Sequence, residues 1–150
     1  MNVDISLPDG KAKAFVLDGI AEYQKRLLRF CDLRLLYRNG PGRFHGQTER
    51  GSGPRVNVLA VSGAARGLAD AADLSSEGFA AWMQSLMNRS AGGFVFHIAK
   101  SGECLADLCP VWDAAIRIAY VETDWDLTAL ILAEQIYRAF MIMNGRTYHK

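Results

Sequence analysis

Little in this sequence is extreme, and each shortage excludes something. Cysteine is scarce: Cys31, Cys104 and Cys109 are odd in number and form no C-x-x-C pair. That argues against a disulfide framework or a metal site and for reduced, mostly buried thiols. Long apolar runs are missing; no stretch approaches the roughly 20 apolar residues that span a bilayer. The start, MNVDISLPDGKAKAF, has no apolar run behind a basic region, so no secretory signal is expected and the cytoplasm is the expected compartment. Charge of one sign is missing too. The formal net charge is +1, so no global basic field marks a nucleic-acid binder, and any RNA contact must come from a local patch. No G-x-G-x-x-G follows a strand, and GSGP (Gly51 to Pro54) lacks the Lys-Ser/Thr of a phosphate loop and reads as a turn. The three histidines are scattered: His45 falls in a glycine-rich stretch, and His97 inside an apolar run reads as a core or pocket-edge residue. Spacing assembles no nucleophile, base and orienter.

What the chain does have is a core. Half of its 150 residues are hydrophobic, enough for one well-buried domain over residues 1–150 and too few for two. Val3 to Leu7 alternates as a strand, broken by Pro8-Asp9-Gly10. Lys11 to Phe30 has helical periodicity, with Phe15, Ile20, Tyr23, Leu27 and Phe30 on one face. Leu33 to Tyr37, Val56 to Ser62, Gly93 to Ile98 and Ala115 to Val121 read as further strands. A helix opens at Ser75 or Ser76, either of which can cap it, and runs to about Asn88. A short helix is expected around Glu103 to Leu108. Asn39 to Pro54 reads as a long loop of undefined role, and Gly63 to Asp73 as a small, flexible connection. Strands alternating with helices predict an α/β fold, a mostly parallel sheet with helices on both faces.

The last helix starts at Thr123 or Asp124, whose side chains suit an N-cap, and stops at Asn144-Gly145. Leu127, Leu130, Ile131, Glu134, Ile136, Tyr137, Phe140 and Met141 leave it apolar nearly all round, so it is buried on more than one side. Either a second copy of the chain covers it, giving a homodimer, or the sheet and neighbouring helices do. The tail Arg146-Thr147-Tyr148-His149-Lys150 combines cations, an imidazole and a ring, able to contact phosphate and stack on a base.

Three segments carry a resemblance. GIAEYQKRLLRFCDL (Gly19 to Leu33), LSSEGFAAWMQSLMNRSAGGFVFHI and LAEQIYRAFMIMNGRTYHK (Leu132 to Lys150) are similar, in that order, to segments of the ribosomal RNA large subunit methyltransferase H family of the SPOUT superfamily. The resemblance implies a C-terminal trefoil knot, an S-adenosylmethionine site within it at a homodimer interface, and methylation of a pseudouridine in large-subunit ribosomal RNA on the ribosome. It implies no membrane partner and no metal. By alignment it assigns Val61, Lys100, Gly102, Ala119, Tyr120, Val121, Glu122, Thr123 and Asp124 to the cofactor, and Tyr148, His149 and Arg138 to the base and phosphate.

The sequence departs from the family where the cofactor is expected. Ala99 and Lys100 stand for a glycine pair, and Glu103 for a third glycine unless Gly102 substitutes. Asp124, Trp125 and Ala129 stand for a loop proline, a histidine and an arginine. Three readings follow: an active enzyme with an altered pocket, a catalytically inactive dimer that keeps RNA- or ribosome-binding surfaces, or a pocket turned to another small molecule. Glu103, Glu122, Asp124 and Asp126 are either unfavourable to RNA or simply placed at a helix N-terminus.

Overall fold

The computed structural model describes residues 1–8, 10–38, 54–63, 71–89, 92–100 and 112–146. Their elements run β1 (Asn2–Leu7), α1 (Ala14–Leu27), β2 (Asp32–Tyr37), β3 (Arg55–Ser62), β4 (Ala72–Asp73), α2 (Ser76–Asn88), β5 (Gly93–Ile98), β6 (Ala114–Ala119) and α3 (Trp125–Met143). The strands form one sheet in the order β2-β1-β5-β3-β6-β4. Every pairing is parallel, so Leu7, Tyr37, Ser62, Asp73, Ile98 and Ala119 all end at one edge. Late strands enter between early ones: β5 between β1 and β3, β6 between β3 and β4. The fold is α/β with a parallel sheet, as the pattern predicts.

Local chemistry sets the boundaries. Lys13 is extended (φ −64°, ψ 142°) and its backbone N–H donates to Asp126 at 3.1 Å, so α1 begins at Ala14 and not at Lys11. Its far end tightens into a turn, with Phe30 and Cys31 both donating to the Leu27 carbonyl. Ser75 caps α2 by accepting from Gly78 N–H at 3.1 Å, one of the two caps anticipated. Gly145 (φ 62°) ends α3: its N–H donates to the Ile142 carbonyl and that of Arg146 to Met141, a paired C-terminal closure that needs the left-handed backbone glycine tolerates. Within the segment read as a flexible connection, Ala72–Asp73 instead pairs with β6, and Asp73 lies 3.4 Å from the Arg117 guanidinium. Two residues carry no readable period, so the sequence alone does not show this strand. The short helix expected near Glu103 and most of the Asn39 to Pro54 loop lie outside the described residues.

The helices of the described residues share one face. Val3, Ile5, Leu7, Val58, Ala60, Phe94, Phe96, Ile98 and Ile116 pack there against Val16, Ile20, Leu27, Phe79, Met83, Leu132, Ile136 and Phe140. Burying each large side chain contributes roughly 1.5–3 kcal/mol. α3 lies between α1 and α2 and over the sheet, so neighbouring elements account for most of its apolar surround. Leu127, Leu130, Ile131 and Glu134 remain half-buried and, with Gly19, Glu22, Tyr23 and Arg26 of α1, line an open groove of about 470 Å³. On the opposite face the strands carry polar groups. Asp4, fully buried, accepts from Arg34 at 2.7 and 2.9 Å and from Arg55 at 2.5 Å.

Candidate functional site at the carboxyl edge of the sheet

In a parallel sheet, ligands bind outside the carboxyl ends of the strands. Here that edge is drawn together between β3 and β6. The pairing shifts register between Val61 and Ser62, an irregularity of the kind that re-aims backbone beside functional sites. Gly63 follows at φ 65°, its N–H donating to the Ala119 carbonyl at 2.8 Å. A Cβ at position 63 would lie 2.8 Å from the Glu122 Cβ and 2.9 Å from its Cα, so only glycine admits the β6–α3 loop this close.

Hydroxyls fasten the same loop. Ser62 Oγ accepts from the Thr123 N–H at 3.1 Å and lies 3.3 Å from the Thr123 carbonyl. The buried Thr128 hydroxyl lies 2.8 Å from Thr123 Oγ1, 3.3 Å from Ser62 Oγ and 3.1 Å from the Asp124 carbonyl. The strand end, loop and first turn of α3 are thereby tied together.

The acidic residues beside this loop are structural. Asp124 occupies the N-cap but its side chain makes no capping bond; it meets Lys13 Nζ at 2.5 Å. The hydrogen bond to Asp124 holds the Lys13 ammonium above its usual pKa. Buried Asp126 accepts from Leu127 N–H at 2.8 Å and from Lys13 N–H. The side-chain cap expected at Thr123 or Asp124 is thus replaced by Asp126, two residues on, because Lys13 draws Asp124 away. Trp125 turns its ring onto the β1–α1 connection, 3.1 Å from where a Gly10 Cβ would stand.

Two buried polar residues back the edge. Arg38, just past β2, donates to the Ile98 carbonyl at 2.9 Å. His97 lies 3.2 Å from Asn57 Oδ1, and burial, with a further contribution from the Arg38 charge, pushes its pKa down to about 4. His97 is therefore a neutral core residue, as the apolar run around it predicts.

The predicted positions are brought together in part. Ala119 to Asp124 form the loop just described; Tyr120 and Val121 are 77% and 73% exposed, unusual for such residues. Val61 sits one residue before the turn, its side chain packed with Leu59, Ala71 and Trp112. Lys100 follows β5, half-buried. Arg138 is bound to Glu134 at 2.8 Å. It lies 13 residues into α3, about 20 Å along it, and so away from this chain's own edge. Gly102, Tyr148 and His149 lie outside the described residues. Sequence reasoning missed Ser62, Thr128 and Arg38, which belong to no motif; Gly63, inside the flexible reading, was a visible turn signal.

A profile described as "Predicted SPOUT methyltransferase" matches residues 1–149. The chain belongs to the SPOUT methyltransferase family. Among curated relatives, proteins named "Ribosomal RNA large subunit methyltransferase H" from Ligilactobacillus salivarius and Leuconostoc citreum are each 31% identical to this chain, over 100% of both sequences. One from Acetivibrio thermocellus is 29% identical over 94% of this chain and 95% of its own length. The SPOUT methyltransferase family implies S-adenosylmethionine as methyl donor. At this edge Gly63 leaves room for the backbone of Glu122, and the neighbouring Tyr120 and Val121 stand exposed. Among the described residues no cluster of His, Cys, Asp or Glu suits a metal, and no helix is long and apolar enough to cross a membrane.

Proposed function

We propose that this chain, folded as one domain over residues 1–150, transfers a methyl group from S-adenosylmethionine to a pseudouridine of large-subunit ribosomal RNA, as a cytoplasmic homodimer. The observation that carries this reading is the close approach of the Ser62-Gly63 turn to the Ala119 to Thr123 loop, a backbone cradle at the carboxyl edge of a parallel sheet, the edge where such folds bind ligands. Backbone of Val61 to Gly63 and Ala119 to Asp124, with Lys100 and Gly102, would hold the donor, which supplies an electrophilic methyl on a sulfonium. The rest is positioning, where most of the rate gain of such a transfer arises. Tyr148 and His149 approach the base, and Arg138 steadies tail or phosphate.

Asp124 and Asp126 oppose this assignment less than their number suggests, because Lys13 pairs with both and offsets one of the two negative charges. The insertion of β5 and β6 between earlier strands is in keeping with a C-terminal trefoil knot. A homodimer is favoured by the α1–α3 groove, whose apolar floor and mixed charges suit a two-fold copy of itself. It is favoured also by length. α3 spans about 28 Å, so the tail leaves at the far end from its own cradle and completes the site of a partner.

A second reading, a catalytically inactive dimer binding RNA, ribosome or another small molecule, draws on Ala99-Lys100 in place of two glycines. Incubation with methyl-tritiated S-adenosylmethionine and unmethylated assembled ribosomes separates the two. Label in one pseudouridine of the large-subunit RNA is expected; a folded protein that binds ribosomes without transferring label overturns the enzyme reading.

A further inference from the structure

We propose that the C-terminal ends of α1 and α3 form an RNA-phosphate clamp, built on Lys25, Arg29 and Arg146. The clamp rests on the RNA-methyltransferase reading and deepens it. The chain is nearly neutral, yet these three exposed cations collect where the two helices end. The Arg29 guanidinium lies 3.8 Å from Met141 Sδ, and the Arg146 N–H donates to the Met141 carbonyl, so both meet at one residue. Lys25 stands four residues before Arg29, one turn away.

None of the three is within ion-pair distance of a carboxylate among the described residues. Nearby Glu22 is taken by Arg26, and Asp32 acts on Arg34. Arg29 is also held ready. Its guanidinium sits 4.8 Å over the Phe30 ring, which stacks on Phe140 at 5.6 Å and 9°. That aromatic floor fixes the plane of the guanidinium and leaves its edge to bind phosphate in a fork. Cations at helix C-termini also complement the dipole, but this does not explain an aromatic platform or the joining of two helix ends at Met141.

Because α3 spans about 28 Å, the patch grips RNA flanking the target and not the reacting base of the same chain's cradle. The test uses the full chain and a labelled hairpin of large-subunit ribosomal RNA, with affinity measured across a salt series. For Lys25→Gln/Arg29→Gln, the slope of log affinity against log salt is expected to fall by about 1.4–1.8, and low-salt affinity by about tenfold. Lys11→Gln/Arg89→Gln removes the same charge elsewhere and is expected to leave the slope near wild type. An unchanged slope in the first variant, or an equal fall in the second, overturns the clamp. Failure of methyl transfer with the slope difference intact would sink the enzyme reading and leave the clamp standing.

Discussion

The two faces of the sheet are both buried at β1 and β5, by different chemistry. On the helix face, Phe94, Phe96 and Ile5 meet Leu132 and Ile136 in an apolar core. On the other, the same strands present Asp4, Ser6, Arg34, Asn57 and His97, with a smaller apolar cluster around Leu59 and Val61. β1 shows the contrast residue by residue: Val3, Ile5 and Leu7 point one way, and Asp4 and Ser6 the other. An apolar face resists change through packing, whereas a charged face resists it through the cost of stranding a partner. The carboxyl edge, where both faces end, depends on neither; hydroxyls, one glycine and backbone approach hold it.

Changes on each region sharpen this difference. On the polar face, Asp4→Ala strands two guanidiniums, and chemical denaturation is expected to show a loss of about 3–5 kcal/mol. Replacing Asp4, Arg34 and Arg55 together by apolar residues is expected to cost far less, and an equal loss would erase the proposed contrast. On the apolar face, Leu132→Ala is expected to cost about 2–5 kcal/mol through transfer and cavity terms, with donor affinity intact if folding is maintained.

The polar face also makes stability depend on pH. Burial holds the folded pKa of His97 at about 4, well below the ordinary imidazole value of 6.5. The unfolded chain takes the proton first, so stability is full above pH 6.5 and falls by about 3 kcal/mol as pH drops through 4. His97→Asn removes that slope; a wild-type curve flat between pH 7 and 4 would show that His97 is not buried neutral. At the edge, Gly63→Ala is expected to cost about 2 kcal/mol from the left-handed backbone and crowding at Glu122, and to weaken donor binding more than tenfold. Ser62→Ala is expected to cost about 1 kcal/mol, with a smaller loss of affinity.

Much of the scaffold was legible. The apolar run Gly93 to Ile98, the alternation of Val3 to Leu7 and the Asn144-Gly145 stop each state their structure locally. Alternation alone would leave Asp4 facing water; its burial rests on Arg34 and Arg55, 30 and 51 residues away, which no local pattern reports. The start of α3 is legible, with Asp124 at the N-cap as expected, but the capping bond is not, for a similar reason. Capping propensity favours Asp124, but Lys13, distant in sequence, takes it and leaves Asp126 to bond the first turn. The cradle is least legible, because Ser62, Gly63 and Thr123 act through backbone geometry that only the parallel register of β3 and β6 creates.

The central claim is that the Ser62-Gly63 turn and the Ala119 to Thr123 loop still form a donor site despite Ala99 and Lys100. Titration calorimetry of the wild-type chain and of Gly63→Ala with S-adenosylmethionine tests it most directly. Micromolar binding by the wild type, weakened more than tenfold in a folded Gly63→Ala, is the predicted result. No heat at millimolar ligand from an intact wild-type protein, or equal affinity in the two, would contradict it.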